Sequence, residues 1–287
     1  SPFMAYDFAD IETDYSYLYR IRDNVYYSNK ARVYGYVPDQ ERWEIHKRKV
    51  APSTASRTAE GHTILGFANQ QAIKIDKTNA RILRRFEFPE DEQINNIIES
   101  ETGCFICTNS HLYHKKEGGE IELISINPTS FYNVLDAFEN TYVFSEKAIY
   151  KLQNDSLSRV TLANLNGNFP HSTNQFVNGG KIYCCTNDEI KIINPETDEV
   201  TSVPFQSLEI KDIHQDGDNL YLLSDKSLLR LDVKSLNETE PEVLASVPLP
   251  HQLLESKIYD FGTDELWIKG LQRVLKINKN SINNHQK

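Results

Sequence analysis

Short apolar stretches recur at a regular interval along the chain, and each of them ends in a small or polar residue. Seven such stretches, each with its closing turn residue, span residues 25–29, 65–69, 105–109, 142–146, 183–187, 221–225 and 266–270. Their ends lie 37 to 45 residues apart, so the seven units fill nearly the whole chain. They are rich in aromatic and β-branched side chains, which favour a strand over a helix. The pattern predicts a degenerate β-strand repeat of about forty residues.

Each unit has the same order of strands and turns around its apolar stretch. A tight turn rich in Gly, Asn and Asp precedes the stretch, at residues 22–24, 59–61, 101–103, 138–140, 178–180, 216–218 and 262–264. These residue types tolerate the positive φ angle of a tight hairpin. A third strand follows, at residues 32–34, 72–75, 112–113, 148–150, 190–192, 228–231 and 274–277, and a more variable fourth strand comes after it. Seven units of four antiparallel strands predict an all-β fold, a seven-bladed β-propeller over residues 4–278.

The two ends of the chain differ from the repeat in complementary ways. The seventh unit stops after its third strand and leaves a polar tail at residues 279–287. The first unit is preceded by residues 4–11, in which side-chain character alternates. We expect this segment to supply the outer strand that closes the last blade, because closure removes an exposed edge. Removal of residues 4–12 is then expected to unfold the protein. Residues 1–3 are interpreted as an expression scar before Met4.

The repeat plan resembles that of WD40-type seven-bladed propellers across essentially the whole chain. The resemblance rests on the repeat length, the strand order and the N-terminal closing strand, and Gly61-His62 matches the Gly-His pair of that family. The Trp-Asp ending of the third strand is absent from all seven units. The Asn-Pro-Glu-Thr turn at residues 194–197 is similar to turns of YVTN/PQQ-like propellers. The resemblance implies an interaction platform, since enzymes are a minority among such propellers.

The formal net charge of −10 changes which partners are expected. A negative surface repels the phosphates of nucleic acids, so we expect no nucleic-acid partner. No stretch approaches the roughly 18 consecutive apolar residues of a membrane-spanning helix, so we expect no membrane span. No basic segment followed by an apolar segment comes after Met4, which predicts the absence of a secretory signal and a cytoplasmic or nuclear location.

Four cysteines are present, and two of them have metal-site spacing. Cys104 and Cys107 form a C-x-x-C pair, but no second pair at zinc-finger spacing accompanies it. The pair lies in an apolar run that reads as a strand, where alternate side chains point to opposite faces. We therefore expect Cys104, Cys107, Cys184 and Cys185 to be buried reduced thiols, with no metal and no cofactor.

A basic stretch stands out in this acidic chain. It comprises Arg42, His46, Lys47, Arg48, Lys49 and Arg57, and spans the predicted fourth strand of the first blade and the link into the second. Arg and Lys side chains make charge-assisted hydrogen bonds to carboxylates and phosphates. The stretch is therefore the candidate partner-binding site, for an acidic or phosphorylated segment of another protein. The alternative is an outer strand that carries solvated charge and binds nothing.

Two other functions rest on smaller sets of residues. Arg84 and Arg85 invite comparison with a phosphoinositide-binding motif, but adjacent side chains on a strand face opposite ways. Acidic residues on the inner strands could hold a metal ion for a hydrolase or lyase, because hard cations prefer oxygen ligands. They are Glu99, Asp136, Asp212 and Asp260. Their positions within the strands are inconsistent, and no Gly-x-Ser-x-Gly motif occurs. We predict a non-catalytic scaffold that binds one or more proteins, as a subunit or adaptor of a larger intracellular complex.

Overall fold

The computed structural model describes residues 1–8, 16–29, 31–69, 71–87, 94–108, 111–125, 131–145, 148–160, 175–237, 241–253 and 255–283. These residues form seven antiparallel sheets of four strands each. Six of the sheets are built from four consecutive strands, and the seventh joins the first strand of the chain to the last three. The fold is a seven-bladed β-propeller, as the repeat predicts.

The strands follow the predicted order along the chain. After β1 (Met4–Asp7), the first blade contains β2 (Tyr17–Ile21), β3 (Asn24–Ser28), β4 (Val33–Val37) and β5 (Arg42–Ile45). The second contains β6 (Thr54–Arg57), β7 (Thr63–Gly66), β8 (Gln71–Ile75) and β9 (Ile82–Glu87). The third contains β10 (Ile94–Ser100), β11 (Gly103–Thr108), β12 (Leu112–Lys116) and β13 (Ile121–Ser125). The fourth contains β14 (Phe131–Ala137), β15 (Asn140–Ser145), β16 (Ile149–Gln153) and β17 (Ser156–Arg159).

The last three blades have the same plan. The fifth contains β18 (Phe176–Asn178), β19 (Lys181–Cys185), β20 (Glu189–Ile193) and β21 (Val200–Pro204). The sixth contains β22 (Ile210–Asp216), β23 (Asn219–Ser224), β24 (Ser227–Asp232) and β25 (Val243–Pro248). The seventh contains β26 (Lys257–Tyr259), β27 (Glu265–Lys269) and β28 (Arg273–Asn278), together with β1. Helical segments are short: 3-10 turns at Pro38–Gln40 and Val233–Asn237, and α1 (Lys279–Asn283).

The chain divides into two compact units. One consists of Phe8–Val134 and Asp155–Leu157 and holds the first three blades. The other consists of Ser1–Asp7, Leu135–Asn154 and Ser158–Lys287, and holds the last three blades with β1 and α1.

Both units are built from blades that pack through both faces of the sheet. In the unit with the first three blades, the consecutive residues Ile64 and Leu65 of β7 lie in different apolar clusters. In the other unit, Leu222 and Leu223 of β23 are divided in the same way. Adjacent side chains on a strand point to opposite faces, so an all-apolar second strand is explained by burial on both sides. Burial of each such side chain contributes roughly 2 kcal/mol.

The seventh blade unites the two ends of the chain. β1 runs antiparallel to β28, with Met4 opposite Lys276 and Asp7 opposite Arg273. The predicted closing strand is thus confirmed over residues 4–7, whereas residues 9–11 of the predicted segment lie outside the described residues. The predicted domain bounds of 4–278 stay a prediction. Two side chains outside these bounds, Phe3 and Ile282, are buried in the same apolar cluster as the seventh blade.

Tight hairpins join the first and second strands of the blades, where the sequence predicts them. Gly61 and Gly217 have φ angles of 92° and 60°, which glycine adopts without strain. Two other hairpins place the positive φ on side-chain-bearing residues, Arg22 at 54° and Phe138 at 52°. The positions of the turns were therefore predictable from their composition. Which residue of each turn adopts the positive φ angle was not.

A second recurring turn follows the second strand of several blades. A Ser or Thr at the end of the strand accepts a hydrogen bond from the backbone N–H three residues later. The four hydroxyls are those of Thr108, Ser145, Thr186 and Ser224, with distances of 2.9 to 3.1 Å. The hydroxyl replaces a backbone acceptor at the point where the strand reverses. This local bond explains why a small polar residue recurs at this place in the repeat.

Candidate partner-binding site

The basic stretch lies on β5 and on the link into β6. The strand ends at Ile45, and a turn follows in which the Lys49 N–H donates a hydrogen bond to the His46 carbonyl at 3.2 Å. The His46 N–H donates to the Val33 carbonyl at 2.8 Å, which ties the start of the turn to β4. We call residues 46–49 the basic turn.

The His46 ring packs over a position of β4 that has no side chain. Gly35 lies opposite Glu44 in the β4–β5 pair, and a Cβ atom at Gly35 would collide with Nε2 of His46. The ring also meets Tyr26 edge to face, with the two ring centroids 5.7 Å apart. Gly35 therefore makes room for the histidine that begins the basic turn.

Tyr26 also holds the end of the basic turn. Lys49 Nζ lies 4.4 Å from the centroid of the Tyr26 ring and donates a hydrogen bond to its hydroxyl at 3.2 Å. An exposed cation–π contact of this kind contributes roughly 0.5–1 kcal/mol. Tyr26 stacks on Tyr19 at 5.6 Å, and the Tyr19 hydroxyl is hydrogen-bonded to Ser28 Oγ at 2.7 Å. Burial raises the pKa of Tyr19 to about 12. The basic turn is thus fixed to ordered strands at both ends.

The middle of the basic turn faces solvent. Lys47 and Arg48 are exposed, and neither has a hydrogen-bond or ion-pair partner in the part of the chain that the structure describes. Apolar side chains lie on both sides of the turn, with Ile45 50% exposed and Val50 75% exposed. The surface here combines unpaired positive charge with apolar contact area. The sequence pattern did not single out these two aliphatic residues, because an isolated apolar residue gives no sign that it faces outward.

Arg42 and Arg57 lie away from the basic turn. Arg42 is at the far end of β5, where its guanidinium binds the side chains of Gln40 and Glu44. Arg57 is at the far end of β6. Each is about 10 Å along its strand from the end nearest the turn, at roughly 3.3 Å per residue. Of the six residues predicted to form the site, four are therefore together in the basic turn and two are not.

The acidic residues of the inner strands each have partners of their own. Glu99 accepts a hydrogen bond from Lys74 Nζ at 2.7 Å, and Asp136 accepts one from Thr141 at 2.8 Å. Asp212 accepts from two backbone N–H groups, those of Ile213 and Ile258, at 2.7 Å each. Within the described residues, no group of three or more His, Cys, Asp or Glu side chains is placed to hold a metal ion.

The four cysteines are free and buried, as predicted. Cys104 and Cys107 lie on β11, and their side chains are fully buried. Burial raises the pKa of Cys104 to about 11 and the pKa of Cys107 to about 12. Neutral thiols of this kind pack as small apolar side chains and are weak nucleophiles.

A second polar cluster lies at the first turn of α1. His214 Nε2 is 2.8 Å from Asp260 Oδ2. Lys279 Nζ donates hydrogen bonds to Asp260 Oδ2 at 2.9 Å and to Asp216 Oδ2 at 3.0 Å. The Gly262 N–H donates to Asp260 Oδ1 at 2.9 Å. This cluster ties α1 to the sixth and seventh blades.

The Asp260 interactions predict a specific acid sensitivity. Burial alone would raise the pKa of Asp260, but the bonds from His214, Lys279 and the Gly262 N–H outweigh it and hold the pKa well below its usual range. Such a group stabilises the fold above its unfolded pKa of about 3.9, and the contribution is lost as the pH falls below that value. We expect Asp260→Asn to lower the free energy of unfolding near neutral pH and the difference from wild type to shrink below about pH 4. Urea denaturation at a series of pH values from neutral to below about pH 4 measures the difference in unfolding free energy between wild type and variant. The substitution Asp218→Asn, at an exposed carboxylate, is the control. A difference that does not change with pH would contradict the assignment.

Solved structures with a related fold cover nearly the whole chain. The WD40 β-propeller domain of Doa1 matches with a TM-score of 0.64 at 11% identity, over 93% of this chain and 94% of that one. YCF48, in a structure with the D1 peptide bound, matches with a TM-score of 0.62 at 11% identity, over 97% of both chains. The extracellular domain of BT4673 from B. thetaiotaomicron matches with a TM-score of 0.67 at 11% identity, over 96% of this chain. The present chain spans only 39% of the length of that domain.

These similarities establish the fold, a seven-bladed β-propeller like that of the WD40 domain of Doa1. No protein-family model and no curated protein matches the sequence. At such low identity a shared fold does not carry a shared function, which has to be argued from the residues of the site. No helix in the described part of the chain is long and apolar enough to cross a membrane.

Proposed function

We propose that this protein is a non-catalytic protein–protein interaction scaffold, a subunit or adaptor of a larger intracellular complex, that binds an acidic or phosphorylated segment of a partner at the basic turn. The proposal rests on the exposure of Lys47 and Arg48 and on their lack of a bonding partner within the described ranges. Both cations are exposed, and neither has a partner among the described residues. Together they offer charge-assisted hydrogen bonds to the oxygens of a carboxylate or phosphate group.

The surroundings of the basic turn favour a ligand of this kind. The chain has a net charge of −10, so an acidic segment is repelled by most of the surface and attracted to a basic sector. Ile45 and Val50 add apolar area next to the cations, which suits a segment in which acidic and apolar side chains alternate. Because Tyr26 and β4 hold the turn at both ends, little backbone conformational entropy is lost on binding. YCF48, which has a similar fold, is seen with a peptide bound, and this supports peptide binding by the present chain.

Charge reversal of the basic turn is expected to weaken binding of the partner strongly. Affinity purification of the tagged protein from its own cells should recover a stoichiometric partner, and the triple variant Lys47→Glu, Arg48→Glu, Lys49→Glu should lose it. With the purified partner, calorimetry should show binding at least about tenfold weaker for the variant, because each lost charge-assisted contact costs roughly 1.5–3 kcal/mol. Binding to wild type should also weaken with added salt.

Matched controls separate this site from general electrostatics. The double variant Arg84→Glu, Arg85→Glu also reverses charge on an outer strand, β9, and should keep the partner. Phosphatase treatment of the partner distinguishes a phosphorylated segment, which would lose binding, from an acidic one, which would keep it. A partner that both variants retain would place the interface elsewhere. The absence of any stoichiometric partner would contradict the scaffold function itself.

A further inference from the structure

β5 is the outermost strand of the first blade. The sheet runs in the order β2, β3, β4, β5, so in the described part of the chain no further strand pairs with the outer edge of β5. An edge strand presents backbone N–H and C=O groups with which a strand of another chain can pair. Three of its four residues, Arg42, Glu44 and Ile45, are exposed. The outer edge of β5 is therefore accessible to a segment of another protein.

The pairing with β4 determines which backbone groups of β5 point to this edge. The His46 N–H donates to the Val33 carbonyl at 2.8 Å, and the β4–β5 register continues from there without a shift. Hydrogen-bonded and non-hydrogen-bonded pairs alternate along an antiparallel ladder. Glu44 lies two positions before His46, so its backbone groups also face β4. The N–H and C=O groups of Trp43 and Ile45 consequently point to the outer edge.

β5 lacks features that hinder strand addition at the edges of other blades. The outer strands of the second, third and sixth blades pair with a register shift, and such bulges twist an edge away from an incoming strand. The outer strand of the fifth blade ends in Pro204, which has no N–H to donate. The β4–β5 pair has no register shift, and β5 contains no proline. Arg42 and Glu44 carry charge, but they form an ion pair with each other.

One face of β5 offers apolar contact area next to this edge. Trp43 and Ile45 alternate with the charged residues of the strand, so they lie on the same face. Their direct partners on β4 are Tyr36 and Tyr34, which lie on that face as well. The rings of Trp43 and Tyr36 are 5.2 Å apart, and Ile45 is 50% exposed. Alternate side chains of an added strand would extend this apolar surface.

The basic turn continues directly from the end of β5. Lys47 and Arg48 follow the strand by two and three residues, and both are exposed and without a partner among the described residues. A segment that pairs with β5 would therefore reach the two cations at one end. Carboxylate groups complement these cations, and the net charge of −10 makes the rest of the surface a poor competitor for an acidic segment.

We propose that an extended acidic segment of the partner adds to β5 as an antiparallel fifth strand of the first blade. This inference rests on the proposed function, and it specifies the conformation and the sequence pattern of the bound segment. Backbone hydrogen bonds supply affinity in such strand addition, and alternate side chains supply specificity. The chains run in opposite directions, so the residue opposite Lys47 precedes the residue opposite Ile45 by two positions. The expected pattern is an acidic residue followed by apolar residues at every second position.

A synthetic peptide with this pattern tests the proposal. The probe is acetyl-Glu-Thr-Ile-Thr-Val-Thr-amide with a fluorescein label, whose isoleucine and valine are designed to lie opposite Ile45 and Trp43. We expect saturable binding to wild type, measured by fluorescence anisotropy. N-methylation of the isoleucine or the valine should weaken binding at least about tenfold, because it removes a hydrogen bond and places a methyl group between the strands. N-methylation of the threonine between them, whose N–H points away from β5, should change binding little.

A variant of the protein locates the added strand. Ile45→Pro removes an N–H that points to the outer edge and leaves the bonds between β5 and β4, and proline is tolerated at such positions of edge strands. It should weaken peptide binding at least about tenfold, whereas the double variant Arg84→Glu, Arg85→Glu should bind the peptide as wild type does. The series of methylated peptides on wild type gives the answer even if Ile45→Pro does not fold.

The outcomes separate strand addition from the proposed function. If N-methylation weakens binding equally at all three positions, or at none, the peptide does not pair with β5 and the proposal is overturned. Failure of the unmethylated peptide to bind wild type overturns it as well. In either case the loss of the natural partner from the triple variant of the basic turn, tested by affinity purification, would still support the proposed function.

Discussion

A chain that lacks residues 1–7 is expected to lose most of its stability and to unfold far below the melting temperature of the intact protein. The deletion removes β1, the antiparallel partner of β28, and uncovers a strand whose Val274, Leu275 and Ile277 are now buried. It also removes Phe3, which is 7% exposed in the cluster that forms the core of the seventh blade. Loss of a buried Phe side chain alone costs roughly 3–5 kcal/mol. The total stability of a domain is only about 5–15 kcal/mol, so the deletion removes a large part of it.

Point variants separate the contribution of pairing from that of packing. Phe3→Ala should lower the unfolding free energy by roughly 3–5 kcal/mol, whereas Ala5→Ser, at an exposed position of β1, should change it little. Urea denaturation and thermal melting followed by circular dichroism measure both. A synthetic peptide of residues 1–7 added to the truncated chain should raise its melting temperature, because a ligand that binds only the folded state stabilises it. Equal melting temperatures for truncated and intact protein would show that the strand does not hold the blade.

Asp212→Asn is expected to be the most destabilising isosteric substitution in the sixth and seventh blades. The carboxylate is fully buried, and its two oxygens accept the N–H groups of Ile213 in the sixth blade and Ile258 in the seventh. An asparagine side chain keeps one acceptor oxygen but turns an NH2 group toward the other N–H. One buried backbone N–H group then loses its acceptor, and the NH2 group of the asparagine, which is also a donor, faces it. We expect a loss of roughly 2–4 kcal/mol in the free energy of unfolding, measured by urea denaturation at neutral pH.

Asp76 offers a matched control for this substitution. Its carboxylate also accepts two backbone N–H groups, those of Thr78 at 2.7 Å and Asn79 at 3.1 Å, but it does so in an exposed turn. Both bonds use the same oxygen, which an asparagine keeps, and water solvates the exposed NH2 group, so Asp76→Asn should have a much smaller effect than Asp212→Asn. Similar losses for the two variants would mean that burial of the Asp212 carboxylate does not determine its importance.

Much of the fold was predictable because the repeat is a local signal. Each unit repeats the same sequence of tight turn, apolar stretch and third strand, and such features depend on neighbouring residues only. The turn at residues 216–218 and the buried stretch at residues 221–225 illustrate this, since the structure has a hairpin and a buried strand there. β1 was also predictable, because the seventh unit lacks a fourth strand and residues 4–7 could supply it.

The candidate site was predictable only in part, because a run of charge is visible in the sequence whereas the pairing and exposure of side chains are not. Consecutive positive charges mark residues 46–49 without any structure. The same reasoning grouped Arg42 with them, although in the fold this residue pairs with Glu44 two positions along its strand. It overlooked Ile45 and Val50, because exposure depends on which face of the sheet a residue takes and on what covers that face.

The repeat, the strand order and the position of the basic turn follow from the amino-acid sequence alone. Which charged side chains meet depends on tertiary packing. Lys257 and Lys269 are opposed by the register of β26 and β27, and His214, Asp260 and Lys279 come together from two blades and a helix. A contact of this kind depends on strand register and on blade packing, and both arise from interactions between residues far apart in the chain.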